Sequence, residues 1–152
     1  MQEERKIRIS LPSKGRLGDK SRELFANVGF RVYKPNPRQY KATIPRFPDV
    51  EVIFQRPTDI VDSVRDGSVD FGVTGRDVFL EKEGENGSIL ELHQNLGFGK
   101  CTLNMIVPQS WEAVNSLADL PIMEASLKRG LKIASKFPNL TKKFLKQKSG
   151  IQ

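Results

Sequence analysis

The stretch Ile7-Arg-Ile-Ser-Leu-Pro-Ser-Lys-Gly-Arg-Leu17 decides how this chain is read. An apolar strand runs into Pro12, Ser13, Lys14, Gly15 and Arg16. An amphipathic segment then sets Leu17, Ser21, Leu24, Phe25 and Val28 on one face, which is helical spacing. Two cations and a glycine between a strand end and a helix start make a good anion pocket. The glycine lets a backbone approach, the helix start offers free N–H groups, and the cations neutralise phosphate. Taken alone, the same turn also reads as an ordinary loop with solvated Lys and Arg.

Working outward, strands and helices alternate, which predicts an α/β fold with a largely parallel sheet. The first strand is expected over Lys6–Leu11 and the first helix over Asp19–Val28, with short extended pieces at Arg31–Tyr33 and Ala42–Ile44. Pro35, Pro37, Pro45 and Pro48 enforce loop around them. Glu51–Gln55 reads as a buried strand, followed by a helix with Pro57 in its first turn and Gly67 at its end. Val69–Val73 alternates like a strand and leads to Thr74-Gly75-Arg76-Asp77 and another helix, then a polar loop over 83–87. Further on, strands are expected at Thr102–Val107 and Leu131–Ala134, a helix over Ser110–Ala118 ended by Pro121, and a terminal helix from Pro138.

Four turns share one logic. Cations directly follow a strand at Lys14-Gly15-Arg16, at Arg56, at Thr74-Gly75-Arg76-Asp77 and at Ser135-Lys136. In a parallel sheet such carboxyl ends lie on one edge, where open α/β sheets bind ligands. Cations gathered there repel one another unless they meet a polyanion, so a polyphosphate is expected rather than a single carboxylate. Asp77 reads either as a contact to a ligand hydroxyl or amine or, with the stronger prior, as a helix cap. Thr74 and Ser135 carry the same two readings, and Gly72 and Gly75 serve either close ligand approach or a plain turn.

Other chemistries find little support. One histidine, His93, and one cysteine, Cys101, exclude the usual zinc sets, and no metal-ligating residue is assigned. Cys101 and Trp111 are expected to pack. No GxGxxG or GxxxxGK[ST] sequence occurs. The amino-terminus lacks the apolar core of a secretion signal, no run is long enough for a membrane helix, and a lone cysteine fits a reducing, cytoplasmic setting. The net charge of +7 is concentrated: residues 128–152 hold eight Lys/Arg and no Asp/Glu, leaving 17 basic against 18 acidic residues elsewhere. A basic tail on a near-neutral body is a solvated helix face before it is a nucleic-acid surface.

Together the loops resemble the ATP phosphoribosyltransferase family, the first enzyme of histidine biosynthesis. The matching stretches are Leu11–Leu17, Arg56–Ile60, Asp66–Asp77, Leu96–Cys101 and Ile133–Thr141, in the family's order and with similar spacing. The resemblance implies a core of two lobes like type II periplasmic binding proteins: a nearly complete first lobe over 1–95, a hinge crossing over 96–100 and a partial second lobe over 101–152. It also implies the reaction, in which N1 of ATP joins the anomeric carbon of phosphoribosyl pyrophosphate, with Mg²⁺, and pyrophosphate leaves. On that reading Lys14, Gly15, Arg16 and Arg56 meet phosphate, Thr74, Gly75, Arg76 and Asp77 sit at the nucleotide, and Lys136 approaches from the second lobe. No residue is assigned as catalytic.

One departure stands out. Family members continue past the stretch matching Thr141–Gln152, and residues 100–152 contain no acidic residue followed by a Thr/Ser-Gly-Thr/Ser turn of the kind that cradles the ribose phosphate. The expectation is a truncated core with impaired turnover, completed by self-association or by a partner chain. The competing reading is a non-catalytic nucleotide- or phosphate-binding or regulatory module, and a third is a nucleic-acid binder using the basic tail.

Overall fold

The computed structural model describes residues 6–83 and 88–148. The polar loop expected at 83–87 lies almost wholly outside them. The first strand, β1 (Ile7–Pro12), has its last four residues buried, as suits a strand with neighbours on both sides. It pairs in parallel with β3 (Phe47–Gln55), matching Ile9 to Val52 and Pro12 to Gln55, and in parallel with β4 (Phe71–Gly72), matching Ser10 to Gly72. β2 (Lys41–Ile44) runs antiparallel along β3, with a register irregularity between Thr43 and Ile44. The sheet order is β2-β3-β1-β4. The β1–β3 ladder extends past the strand end, where the Ser13 N–H donates to the Gln55 carbonyl at 2.8 Å.

One sheet face carries the core. Ile9, Leu11, Ala42, Ile44, Val52 and Phe54 are buried together, with Phe25, Phe30, Val32 and Phe47 packed against them. Phe25 comes from α1 (Gly15–Asn27), so the amphipathic helix read from the sequence covers this face. Its start lies earlier than expected, at Gly15 rather than Asp19. Gly18, which reads as loop, is a packing residue inside the helix: a Cβ there would come within 2.6 Å of the Pro12 carbonyl oxygen.

The opposite face is polar at its centre. Ser10 Oγ donates to Gln55 Oε1 at 2.6 Å, and Gln55 Nε2 donates to Ser63 Oγ at 2.8 Å. Ser63 belongs to α2 (Pro57–Arg65), whose Ile60 and Val61 are also buried. The expected strand Val69–Val73 shrinks to β4 because the Asp70 carboxylate takes the Arg8 N–H at 2.7 Å. α3 (Arg76–Lys82) is tied back to α2, as the Lys82 ammonium bonds the Asp62 carboxylate and, at 3.3 Å, the Thr58 carbonyl.

The chain divides into two compact units, Met1–Lys100 and Cys101–Gln152. The second departs from expectation. Thr102–Val107 and Leu131–Ala134 form no strand, and Ser110–Ala118 forms turns in place of a helix. A strand needs a partner ladder, and neither segment has one among the described residues. A 3₁₀ turn over Leu117–Asp119 leads instead into α4 (Leu120–Ser126), with Pro121 in its first turn, so Pro121 starts a helix where it was expected to end one. The capping box at the start of this turn is Ser116 with Asp119. The terminal helix is as expected: α5 runs Pro138–Lys148 and buries Leu145.

Candidate functional site

Three strand ends in the first unit open on one sheet edge. β1 delivers Lys14, Gly15 and Arg16, β3 delivers Arg56, and β4 delivers Thr74, Gly75, Arg76 and Asp77. Parallel pairing is what brings these turns together, since it aligns the carboxyl ends of neighbouring strands. Lys136 lies in the second unit, before α5, with its ammonium 5.6 Å from the centroid of the Phe137 ring.

The helix starts at this edge are bare. Lys14 occupies the N-cap of α1 and Arg56 that of α2, and neither helix start has a side-chain cap. The first turn of α1 holds no acidic residue, so its N–H groups carry an uncompensated positive end, whereas α2 has Asp59 in its first turn. Gly15 is needed for its backbone: its φ is +73°, and nothing lies within 4 Å of where a Cβ would stand. Lys14, Arg16 and Arg56 are all exposed, and among the described residues none has an ion-pair or side-chain hydrogen-bond partner. Elsewhere in the unit Arg8 meets Asp70, Lys20 meets Glu23 and Lys41 meets Glu51.

The fourth cation differs. Arg76 Nε donates to Glu91 Oε1 at 2.9 Å, and Glu91 is mostly buried while Arg76 is half exposed. Glu91 carries no motif signal, so sequence reading misses it. Asp77 is not the cap of α3. Gly75 holds that position, and the Asp77 carboxylate folds back over the Gly75 Cα from within the first turn. Thr74 Oγ1 donates to the Pro57 carbonyl at 2.9 Å, locking this turn to the start of α2. The space beside Gly72 is filled by Ile60 and the Ser10 carbonyl, so its missing side chain serves helix packing rather than ligand approach. Ser135 accepts the Phe137 N–H at 3.0 Å in a local turn ahead of α5.

The remaining candidates are peripheral. Cys101 is exposed rather than packed, and the His93 ring meets the Asn95 carbonyl at 2.8 Å. Gln55, Ser10 and Ser63 carry no motif signal either; a serine and a glutamine inside otherwise apolar strands are the only hint the sequence holds.

The profile of the family described as HisG: ATP phosphoribosyltransferase matches residues 56–152. That match takes in three of the four cation-bearing turns and more than half of the chain. The chain belongs to the ATP phosphoribosyltransferase family. It is 40% identical over 144 residues to ATP phosphoribosyltransferase 1, chloroplastic, of Arabidopsis thaliana, covering 93% of this chain and 35% of that protein. It is 38% identical over 151 residues to the ATP phosphoribosyltransferase of Chelativorans sp. (strain BNC1), covering 96% of this chain and 66% of that one. The chain thus spans between about a third and two thirds of these relatives. A solved ATP phosphoribosyl transferase (HisG:HisZ) complex from Thermotoga maritima shares the mixed α/β fold at a TM-score of 0.50 and 20% identity, over 93% of this chain and 59% of that one.

Among the described residues no helix is long and apolar enough to cross a membrane.

Proposed function

We propose that this chain serves ATP phosphoribosyltransferase chemistry, with the first unit as the nucleotide-holding lobe of a periplasmic-binding-protein-like core and the second as part of the opposing lobe. The observation that carries this reading is the pairing of bare helix starts with unpartnered cations at one sheet edge. Lys14, Arg16 and Arg56 stand at the uncapped beginnings of α1 and α2. Such an edge suits a polyphosphate, since the start of α1 offers N–H groups beside Lys14 and Arg16 while Arg56 adds a further counter-charge.

In the reaction, a bond forms from adenine N1 of ATP to the anomeric carbon of phosphoribosyl pyrophosphate. The bond from that carbon to the pyrophosphate oxygen breaks, and the oxygen keeps the electron pair. Cations set where that charge gathers lower the barrier, and a cleft that holds both reactants in line removes much of the entropic cost. Lys14, Gly15, Arg16 and Arg56 take the phosphates. Thr74, Gly75, Arg76 and Asp77 flank the nucleotide, and Lys136 supplies a cation from the second unit. Magnesium enters with the polyphosphates, as an ion that keeps several waters and binds through substrate phosphates. The chain works as a homo-oligomer or with a partner chain, in a cytoplasmic setting.

Calorimetric titration with ATP and a pyrophosphate-release assay with ATP, phosphoribosyl pyrophosphate and Mg²⁺ test this. Arg16→Glu and Arg56→Glu are expected to lower ATP affinity about tenfold or more each, a loss of at least about 1.4 kcal/mol. Unchanged affinity in both overturns the phosphate assignment. A second reading, nucleotide binding without turnover, is favoured by the absence of any strand from the described residues of the second unit. ATP binding with no pyrophosphate release selects it.

A further inference from the structure

The first unit carries a hollow of about 280 Å³ on the sheet edge opposite the cationic turns. It lies where α1 has ended and where β2 turns into β3 through Pro45 and Arg46. From there β3 runs about 30 Å, at the usual rise per residue, before it reaches Arg56. Val32, Ile44 and Pro45 give the hollow an apolar wall, and Arg31 and Arg46 add two exposed guanidiniums. No carboxylate lines it. The segment that carries Arg31 is fixed through Tyr33, whose N–H donates to the Thr43 carbonyl at 2.7 Å and whose carbonyl accepts the Thr43 N–H at 3.1 Å.

Arg46 is a preset fork. Its guanidinium lies 5.6 Å from the centroid of the Phe47 ring, and Phe47 stacks on Phe30 with ring centroids 4.7 Å apart. A Cβ on Gly29 would stand 3.4 Å from an Arg46 nitrogen, so the missing side chain leaves the guanidinium its room. Its charge complements the carboxyl end of α1, which has no basic residue in its last turn. That role uses the charge and leaves the N–H fork open: among the described residues neither Arg46 nor Arg31 has a carboxylate partner. We propose that this hollow binds a small carboxylate with an apolar body. A guanidinium fork meets a planar carboxylate through two parallel bonds, and the apolar wall takes the body. A polyphosphate fits poorly, because the helix presents its carboxyl end here and only two cations oppose the charge. The space falls below the range of about 300–1,000 Å³ usual for drug-sized ligands, which limits the body to a single ring or a short branched chain. The inference does not rest on the proposed reaction, whose phosphates meet the other edge.

Benzoate is the probe, benzamide its neutral counterpart, and inorganic phosphate an anion without an apolar body. Amide chemical shifts of the full 152-residue chain are followed as each is added. Benzoate is expected to shift Gly29, Arg31, Tyr33 and Arg46 saturably, at concentrations about tenfold or more below those either control needs. It should do so equally with ATP present, while Gly15 and Arg16 stay unmoved by it. Arg31→Gln and Arg46→Gln are each expected to weaken benzoate about tenfold, with the β1 and β3 amides unchanged. Arg46→Lys should not restore affinity, since a lysine lacks the planar fork. Benzamide or phosphate saturating these amides as readily as benzoate overturns the proposal. So do shifts that never saturate, displacement of benzoate by ATP, or unchanged affinity in both variants. If a variant loses the β1 and β3 signals, the three ligands compared on the parent chain decide alone.

Discussion

Gly18 of α1 lies against the Pro12 carbonyl at the end of β1, so close that a Cβ at residue 18 would stand 2.6 Å from that oxygen. The helix start and the strand end are in backbone contact, and this contact sets how Lys14 and Arg16 leave the sheet. Gly18→Ala is expected to push the helix outward at a cost of about 1–3 kcal/mol, the usual range for overpacking. Urea unfolding should show a lower midpoint with an unchanged slope. A midpoint equal to that of the parent chain would show that the contact relaxes freely.

The polar bridge from Ser10 through Gln55 to Ser63 is expected to act as a unit. Gln55→Leu deprives the buried Ser63 hydroxyl of its donor and Ser10 of its shorter bond, costing about 1–3 kcal/mol. Adding Ser63→Ala to Gln55→Leu should then cost less than the two single changes together. Strict additivity in unfolding experiments would argue that the three side chains are independent.

Glu91 competes with any anionic ligand for Arg76. Glu91→Gln should change stability by no more than about 0.5 kcal/mol, since half-exposed Arg76 leaves the pair open to solvent screening. It should also raise ATP affinity at low salt, with the gain shrinking as ionic strength rises. If affinity does not respond at any salt concentration, Arg76 is a structural partner of Glu91 and not a nucleotide contact.

Asp119 gives the second unit a sensitivity to acid. The Ser116 hydroxyl, then the Asn115 and Ser116 N–H groups, hold its carboxyl below the ordinary value of 3.8. The folded value is the lower one, so the cap is fully stabilising above the ordinary value and is lost as pH falls through the folded value. Nuclear magnetic resonance of the Asn115 and Ser116 amides should show this transition on the acid side of pH 3.8, with fraying at the start of α4. Asp119→Ala should abolish it. Amide signals that ignore pH across that range would contradict the capping role.

Much of the first unit was legible because its signals are local. The apolar run of β1, Gly15, and Pro57 after Gln55 each fix a backbone choice within a few residues. Parallel pairing then gathers the turns without further information. Asp77 is a local ambiguity, since a cap moved by two residues to Gly75 fits the same turn, whereas Glu91 has no signal until the fold carries it to Arg76. Thr102–Val107 and Leu131–Ala134 have strand-like composition, but composition supplies no neighbour, and without one they remain extended and unpaired.

The bond from the Ser13 N–H to the Gln55 carbonyl carries a mechanical consequence. It clamps the first turn to the residue just before Arg56, so the two cationic turns are geared together and one cannot shift along the sheet without dragging the other. A phosphate chain drawn in at Arg16 would find Arg56 already in step.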